Sequence, residues 1–359
     1  MLELVDALTT WRREERRFAV ATVVSVTGSA PRPIGSALAV DESGEVIGNV
    51  SGGCVEGAVY DLCRESLATG EPAVHRFGWS DESAFAVGLT CGGTIEVFVH
   101  PTPEVPARGE HLLVARVIRG PVGWPGRWLI ADDGVTAVTL GDPALDNAVL
   151  ACRGTDMIRW IDRFTGEPVE VLVEVASPAP RMLIFGALDF AAALSEVGKL
   201  LGYRVTVCDP RPVFATRARF PSAEVVVDWP HRYLERTETD ERTVVCVLTH
   251  DPKFDIPVLT RALRMPLAYV GAMGSRRTHA ERVSLLREAG VTPDQLGRLR
   301  SPLGLDLGAH TPAETALSIA AEVTAHRTSA TGRPLTELSG SIHARSANGS
   351  REVCVGPTV

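Results

Sequence analysis

The stretch MLIFGALDFAAALSEVGKLLGYRVTVCD (182–209) decides the fold. It opens on a short apolar strand, continues as a helix to about Leu201, and closes on a second apolar strand that ends at Asp209. Two parallel strands need a crossover of this length, so the stretch reads as a βαβ unit. TVVCVLTH (243–250), a helix across 255–264 and LAYVGAMG (267–274) carry the alternation onward. A helix from about Thr278 to Ala289 follows, then one over 311–327, which opens with Thr311 as N-cap and Pro312 at the first helical position. The pattern predicts a Rossmann-like, doubly wound parallel sheet over residues 177–327. Its glycine fingerprint is damaged, because GALDFA (186–191) offers Leu188 where the second glycine lets a pyrophosphate approach the backbone. Asp189 is expected to cap the helix and place a carboxylate where that phosphate would sit. NAD or NADP is therefore expected to bind poorly. Open α/β sheets take ligands at the carboxyl ends of their strands. His250, Asp251 and Asp255 in THDPKFD are candidates there, as are Ser275, Arg276 and Arg277 in GAMGSRR, where guanidinium forks and a glycine turn suit an anion.

SPAPR (177–181) reads as a linker, and upstream of it the pattern repeats itself. A helix over 1–17, with Leu2, Val5, Leu8 and Trp11 on one face, precedes a buried strand at Phe18–Val26. A Gly/Pro loop (27–36), a hairpin (36–50), a helix (53–68) and a strand (93–99) follow. From Leu113 the same order returns: strand, the loop RGPVGWPGR (119–127), the hairpin LIADDGVTAVTL (129–140), LDNAVLAC (145–152) and PVEVLVEV (168–175). Residues 1–176 are thus expected to form one α+β domain with an internal duplication, the second copy lacking the residues that match Glu71–Leu89. The duplication is its own control. SGGCVE (51–56) faces GDPALD (141–146), so Cys54 meets Ala144; TCGGTIEV (90–97) faces FTGEPVEV (164–171), so Cys91 meets Thr165. Only the first copy has thiols beside paired glycines (Gly52, Gly53, Gly92, Gly93), which singles out Cys54 and Cys91 as one shared pocket and as metal-site candidates. Glycines let a ligand approach the backbone, and free N–H groups would lower the pKa of a neighbouring thiol. From Thr328 to 359 the chain is Ser/Thr/Gly-rich without apolar period and reads as a flexible tail.

Composition narrows the function. With 36 Lys plus Arg against 44 Asp plus Glu the net charge is −8, and no basic block exists to hold nucleic acid or an anionic membrane. The longest apolar run is about half of a bilayer span, and the first residues lack the order of a signal peptide, so the cytoplasm is the expected location. Seven cysteines without a close pair exclude zinc-ribbon and common iron–sulfur spacings.

TGSAPRPIGSALAV (27–40), GNVSGGCVEGAV (48–59) and GLTCGGTIEVFV (88–99) resemble the N-terminal motifs of the xanthine dehydrogenase accessory family, of XdhC/CoxI type. YVGAMGSRRTHAER (269–282) and SPLGLDLGAHTPAETALSIAAEV (301–323) resemble that family's Rossmann-like C-terminal domain. The resemblance implies an accessory protein rather than an enzyme. It would bind molybdenum cofactor in its molybdopterin form, assist sulfuration by a cysteine desulfurase, and hand the cofactor to a molybdenum hydroxylase apoenzyme. Cys54 and Cys91 would lie near the metal or its sulfur ligand. The Gly-Gly backbones and Arg32 would hold the pterin or dithiolene, and Ser275, Arg276 and Arg277 the phosphate. A homodimer is expected. The family often has GxGxxG with a histidine in that loop, and GALDFA departs from it. Two other readings stand beside this one: an NAD(P)-dependent oxidoreductase with His250 as acid–base, and a ligand-free assembly scaffold.

Overall fold

The computed structural model describes residues 1–28, 30–78, 93–101, 103–106, 109, 111–151, 157–162, 169–176 and 178–339, with the backbone alone at 157–162. Two units emerge, one built on Met1–Pro178 and the other on Ala179–Leu338. In the first, α1 (Val5–Arg13) leads into β1 (Phe18–Thr27), β2 (Ala37–Asp41), β3 (Val46–Gly48), α2 (Glu56–Thr69), β4 (Ala73–Phe77) and β5 (Thr94–Pro101). The second half repeats the order with β6 (Leu113–Arg119), β7 (Trp128–Asp132), β8 (Val135–Val138), α3 (Pro143–Ala151), β9 (Met157–Asp162) and β10 (Val169–Val175). Helix α1 is shorter than the apolar spacing suggested: Glu15 adopts a left-handed φ of 57° and turns the chain away.

Two antiparallel sheets result, β3-β2-β1-β5-β4 and β8-β7-β6-β10-β9, with identical strand order. The duplication extends to fine detail. In the first sheet the β1–β5 register skips a residue between Val23 and Ser25, and in the second the β6–β10 register skips between Glu170 and Val171, with Val117 and Arg119 opposite. Val24 and Ile118 are therefore the same bulged position in the two copies. The strand β9 pairs Arg159 with Leu172 as β4 pairs Val74 with Phe98. This corrects the expected deletion: the second copy keeps the strand within the Glu71–Leu89 span, and its shortfall falls to either side. That strand lacks a strong alternating pattern, so spacing alone does not reveal it.

Each sheet is buried on both faces, which explains the unbroken apolar run of β1. Ala19, Ala21 and Val23 face α2 with Val55, Val59 and Cys63, and the second sheet covers Leu145 and Val149 of α3 in the same way. The opposite faces meet one another: Val24 and Phe98 pack with Ile118 and Leu172, which are the matching positions of the two copies. The two halves thus meet about a local pseudo-twofold relation, like a dimer joined in one chain.

The second unit comprises β11 (Arg181–Phe185), α4 (Asp189–Leu200), β12 (Arg204–Cys208), β13 (Glu224–Val226), α5 (Pro230–Arg236), β14 (Val244–Val247), α6 (Pro252–Ala262), β15 (Tyr269–Ala272), α7 (Arg276–Glu288), α8 (Pro293–Gly297), β16 (Leu299–Arg300) and α9 (Pro312–Thr328). Its sheet is parallel throughout, ordered β13-β12-β11-β14-β15-β16, which is the Rossmann-like doubly wound arrangement expected from sequence. Alternate residues of β11 serve opposite layers. Met182 and Ile184 pack with Leu194 of α4 and Ile319 of α9, whereas Leu183 and Phe185 pack with Val258 of α6 and Leu286 of α7. The strand order reverses between β11 and β14, and ligand clefts of such sheets open there.

Candidate functional site

In the first unit the turn Ser51-Gly52-Gly53-Cys54 leads into α2. Gly52 and Gly53 take φ of +79° and +120°, values that only glycine holds without strain. The turn is fastened by a residue that sequence reasoning missed. Glu56 Oε1 accepts from the backbone N–H of Val50, Ser51 and Gly52 at 3.2, 2.8 and 3.0 Å. Its Oε2 accepts from Gly53 N–H at 2.8 Å, Val55 N–H at 3.2 Å and the Ser51 hydroxyl at 2.5 Å. Ser51 Oγ in turn accepts from Cys54 and Val55 N–H, both at 3.0 Å. Partial burial works against ionisation of Glu56, but the Ser51 hydroxyl and the backbone donors outweigh it and hold the carboxyl at about 2. The expectation that Gly52 and Gly53 present free N–H groups is corrected here, because Glu56 takes both. Among the described residues, what remains is an open face: a Cβ added at Gly53 would meet nothing within 4 Å, and one at Gly52 only Pro31 at 4.0 Å.

Pro31 brings the loop 30–36 against this turn. Arg32 is tied to Glu3, with Nη2 at 3.0 and 2.8 Å from its two carboxylate oxygens. Its Nε and Asn49 Oδ1, both buried, have no hydrogen-bond partner among the described residues. The third motif enters at the same strand ends, since Thr94 pairs with Thr27 and the buried Gly93 precedes it. Cys91 and Gly92 lie outside the described residues, so the expected shared pocket of Cys54 and Cys91 stays a proposal. Cys54 is half-buried, whereas burial pushes the thiol of Cys63 on α2 up to about 12 and leaves it inert. The second copy confirms the register of the comparison. Asp142 accepts from Ala144 and Leu145 N–H as Ser51 does from Cys54 and Val55, and Asp146 accepts from Leu140 N–H as Glu56 does from Val50. Glu56→Ala should accordingly cost about 2–3 kcal/mol by removing the acceptor of six donors, and Asp146→Ala only about 1 kcal/mol. Chemical denaturation of the two variants checks this; equal losses would mean that Glu56 is a helix-start acid without a special hold on the turn.

In the second unit a cleft of about 280 Å³ opens at the strand-order reversal, lined by Gly186, Leu188, Arg211, Thr249, His250 and Lys253 among others. Leu188 lines it as expected. Asp189 does not cap α4: its side chain is 80% exposed and pairs with Arg219 at 2.9 Å, because Arg219 also reaches the Ala187 carbonyl and draws the carboxylate outward. Among the acids of THDPKFD, Asp251 caps α6 through Lys253 N–H, and Asp255 is buried against Thr249 Oγ1 and Arg282. Of the three expected side chains, His250 and Asp251 line the cleft and Asp255 does not. In GAMGSRR, Ser275 Oγ caps α7 by accepting from Thr278 N–H at 3.1 Å, and Arg277 pairs with Glu281 at 3.0 Å. Both guanidinium groups, Arg276 and Arg277, are exposed, so the expected anion contact there stays a proposal.

Sequence reasoning also missed Arg282. Buried on α7, it binds Asp255 at 2.9 Å, the Met273 carbonyl at 2.8 Å and Ser301 Oγ at 3.0 Å. One side chain thereby ties the first turn of α6 to the residues that follow β15 and β16. The available signal was an arginine one helical turn before Leu286, at a spacing where an apolar residue belongs.

Comparison with known proteins places these features. Residues 182–323 match the model of the XdhC Rossmann domain, and residues 11–78 match that of the XdhC and CoxI family. The chain carries both XdhC-type domains. Among its relatives, the molybdenum cofactor insertion chaperone PaoD of Escherichia coli (strain K12) is 29% identical over 314 residues, 86% of this chain and 83% of that one. A probable xanthine dehydrogenase subunit from Bacillus subtilis (strain 168) is 26% identical over 347 residues, 89% and 95% of the two chains. A crystal structure described as a xanthine dehydrogenase (BH1974) from Bacillus halodurans shares the fold, with TM-score 0.68 and 24% identity over 93% of this chain and 98% of that one. The turn 51–56 falls in the region matched by the XdhC and CoxI family model, and the cleft and Arg282 in the region matched by the XdhC Rossmann model. Among the described residues no three His, Cys, Asp or Glu side chains are grouped to hold a metal ion, and no helix is long and apolar enough to cross a membrane.

Proposed function

We propose that this chain carries molybdenum cofactor in its molybdopterin form and inserts it into a molybdenum hydroxylase apoenzyme. The observation that carries the reading is the similarity to a molybdenum cofactor insertion chaperone across 86% of the chain, with both domains included. The chemistry of the first unit fits that cargo. A thiol stands beside a glycine turn with an open face, and two buried polar atoms nearby, Arg32 Nε and Asn49 Oδ1, have capacity to spare. Cys54, together with Cys91, is assigned to the neighbourhood of the metal and its sulfur ligand. Gly52, Gly53, Gly92 and Gly93 let the dithiolene end approach. Sulfur would come from a partner cysteine desulfurase, and the protein would act as a homodimer. The oxidoreductase reading is disfavoured by Leu188 and by a strand-end acid, Asp209, whose oxygens are fully engaged.

Cys54→Ala should remove most of the molybdenum that co-purifies with the protein, while Cys63→Ala leaves retention nearly intact and lowers stability through the cavity it opens on the buried face of α2. Metal analysis of both variants, made in a cell that synthesises the cofactor, checks the pair. Equal retention would remove Cys54 from the site.

A further inference from the structure

In the cleft of the second unit an arginine fork covers the acid that ends the second strand. In dinucleotide-binding sheets of this layout that acid faces a ribose. Here Asp209 is fully buried, and its two oxygens take Ala187 N–H at 3.0 Å, Arg211 N–H at 2.9 Å, and Arg211 Nε and Nη2 at 2.9 and 2.8 Å. Nothing of the carboxylate is left for a sugar hydroxyl. Arg211 takes its place at the mouth, 41% exposed, its fork fixed from beneath by Asp209 and from the side by the Phe214 ring, 4.7 Å from the guanidinium carbon. Its Nη1 is the face left over. Lys253 lines the same cleft, as does Asp251, which accepts from Lys253 N–H and pairs with Lys253 Nζ at 2.8 Å. Phe254 and Leu188 supply apolar wall.

We propose that this cleft is a subsite for a phosphate ester, with Arg211 and Lys253 as the groups that hold it. A guanidinium already locked in place loses little freedom on binding, and its Nη1, with the second hydrogen of Nη2, is left to donate to phosphate oxygens. The volume, about 280 Å³, sits at the lower edge of ligand pockets, which run roughly 300–1,000 Å³, so one end of a larger molecule enters rather than the whole. The cofactor reading above, on which this choice of ligand class rests, supplies a phosphate ester of that kind.

Calorimetric titration of the full chain with phenyl phosphate tests the proposal. Binding at about 1 mM or tighter is expected, weakened about tenfold by Lys253→Met and by Arg211→Lys, and unchanged by Arg276→Met. Arg211→Lys keeps a cation for Asp209, so the fold is preserved. No binding to the parent protein, or equal binding by all variants, overturns the proposal. So does NADPH binding below about 10 μM, which would make the cleft a dinucleotide site. Phosphate binding that depends on Arg211 in a protein that never co-purifies molybdopterin would sustain the cleft and overturn the cofactor reading instead.

Discussion

Arg116→Met should destabilise the first unit by about 3–5 kcal/mol, the largest single effect expected in this protein. Arg116 is fully buried between the two sheets. Its guanidinium pairs with the equally buried Glu174, donates to Thr22 Oγ1 at 2.9 Å and lies 5.1 Å from the centre of the Trp128 ring. Thr22 and Arg116 are the same position of the two copies, and so are His100 and Glu174, because Thr22 pairs with Phe98 where Arg116 pairs with Leu172. One copy therefore contributes an ion pair to the pseudo-twofold contact and the other a neutral Thr and His. Removing the guanidinium leaves Glu174 in the core with only the amino terminus, 2.6 Å away, as counter-ion. Arg116→Met combined with Glu174→Leu should lose much less than the sum of the two single changes, because no charge is then stranded. Denaturant unfolding of both variants decides it; a single variant within 1 kcal/mol of the parent, a margin typical of exposed pairs, would show that the pair is not isolated from water.

Acid should weaken the same contact through a histidine, before Glu56 and Glu174 titrate. Burial, and then the positive charge of Arg116, push His100 down to about 4 from an ordinary 6.5. Its ring lies edge-on to Trp128 at 5.8 Å, and its Nδ1 has no hydrogen-bond partner among the described residues. The folded state thus holds fewer protons than the unfolded chain between these two values. Stability contributed by neutral His100 is complete above pH 6.5 and is lost as the pH falls toward 4, a total of about 3 kcal/mol. Glu56 and Glu174, both held low, add further loss only below about 4.5. Unfolding free energies measured from pH 7.5 to 4.5 should fall in the parent and stay much flatter in His100→Gln. A parallel slope in the two proteins would assign the effect to another group.

Much of the fold was legible because its signals are local. The strand–helix alternation from Met182, the Thr311-Pro312 helix start and the recurrence of the hairpin at Leu129 each depend on a few adjacent residues. The strands β4 and β9 were not legible, since AVHRF (73–77) and MIRWID (157–162) mix charge with short apolar pairs and are held by their neighbours β5 and β10 rather than by their own pattern. The site was legible in type and less so in detail. Paired glycines beside Cys54 announced a special turn, and the matching Ala144 showed that the thiol is a choice of one copy. That Glu56 fills the nest, that Asp189 swings out to Arg219, and that Asp209 is consumed by Arg211 all depend on side-chain partners that spacing does not reveal. Arg282 and Arg116 carry the same lesson: each is a charge in an apolar position, legible only as an anomaly until its buried acid is seen.

The most direct test of the cofactor reading is metal and pterin analysis of the full chain, purified from a cell that makes molybdenum cofactor and again from one blocked in its synthesis. Molybdenum and the fluorescence of oxidised pterin should travel with the protein in a fixed ratio from the first cell and be missing from the second. Protein that carries neither from the cofactor-producing cell, and takes up neither when mixed with a cofactor-loaded extract, would contradict the reading.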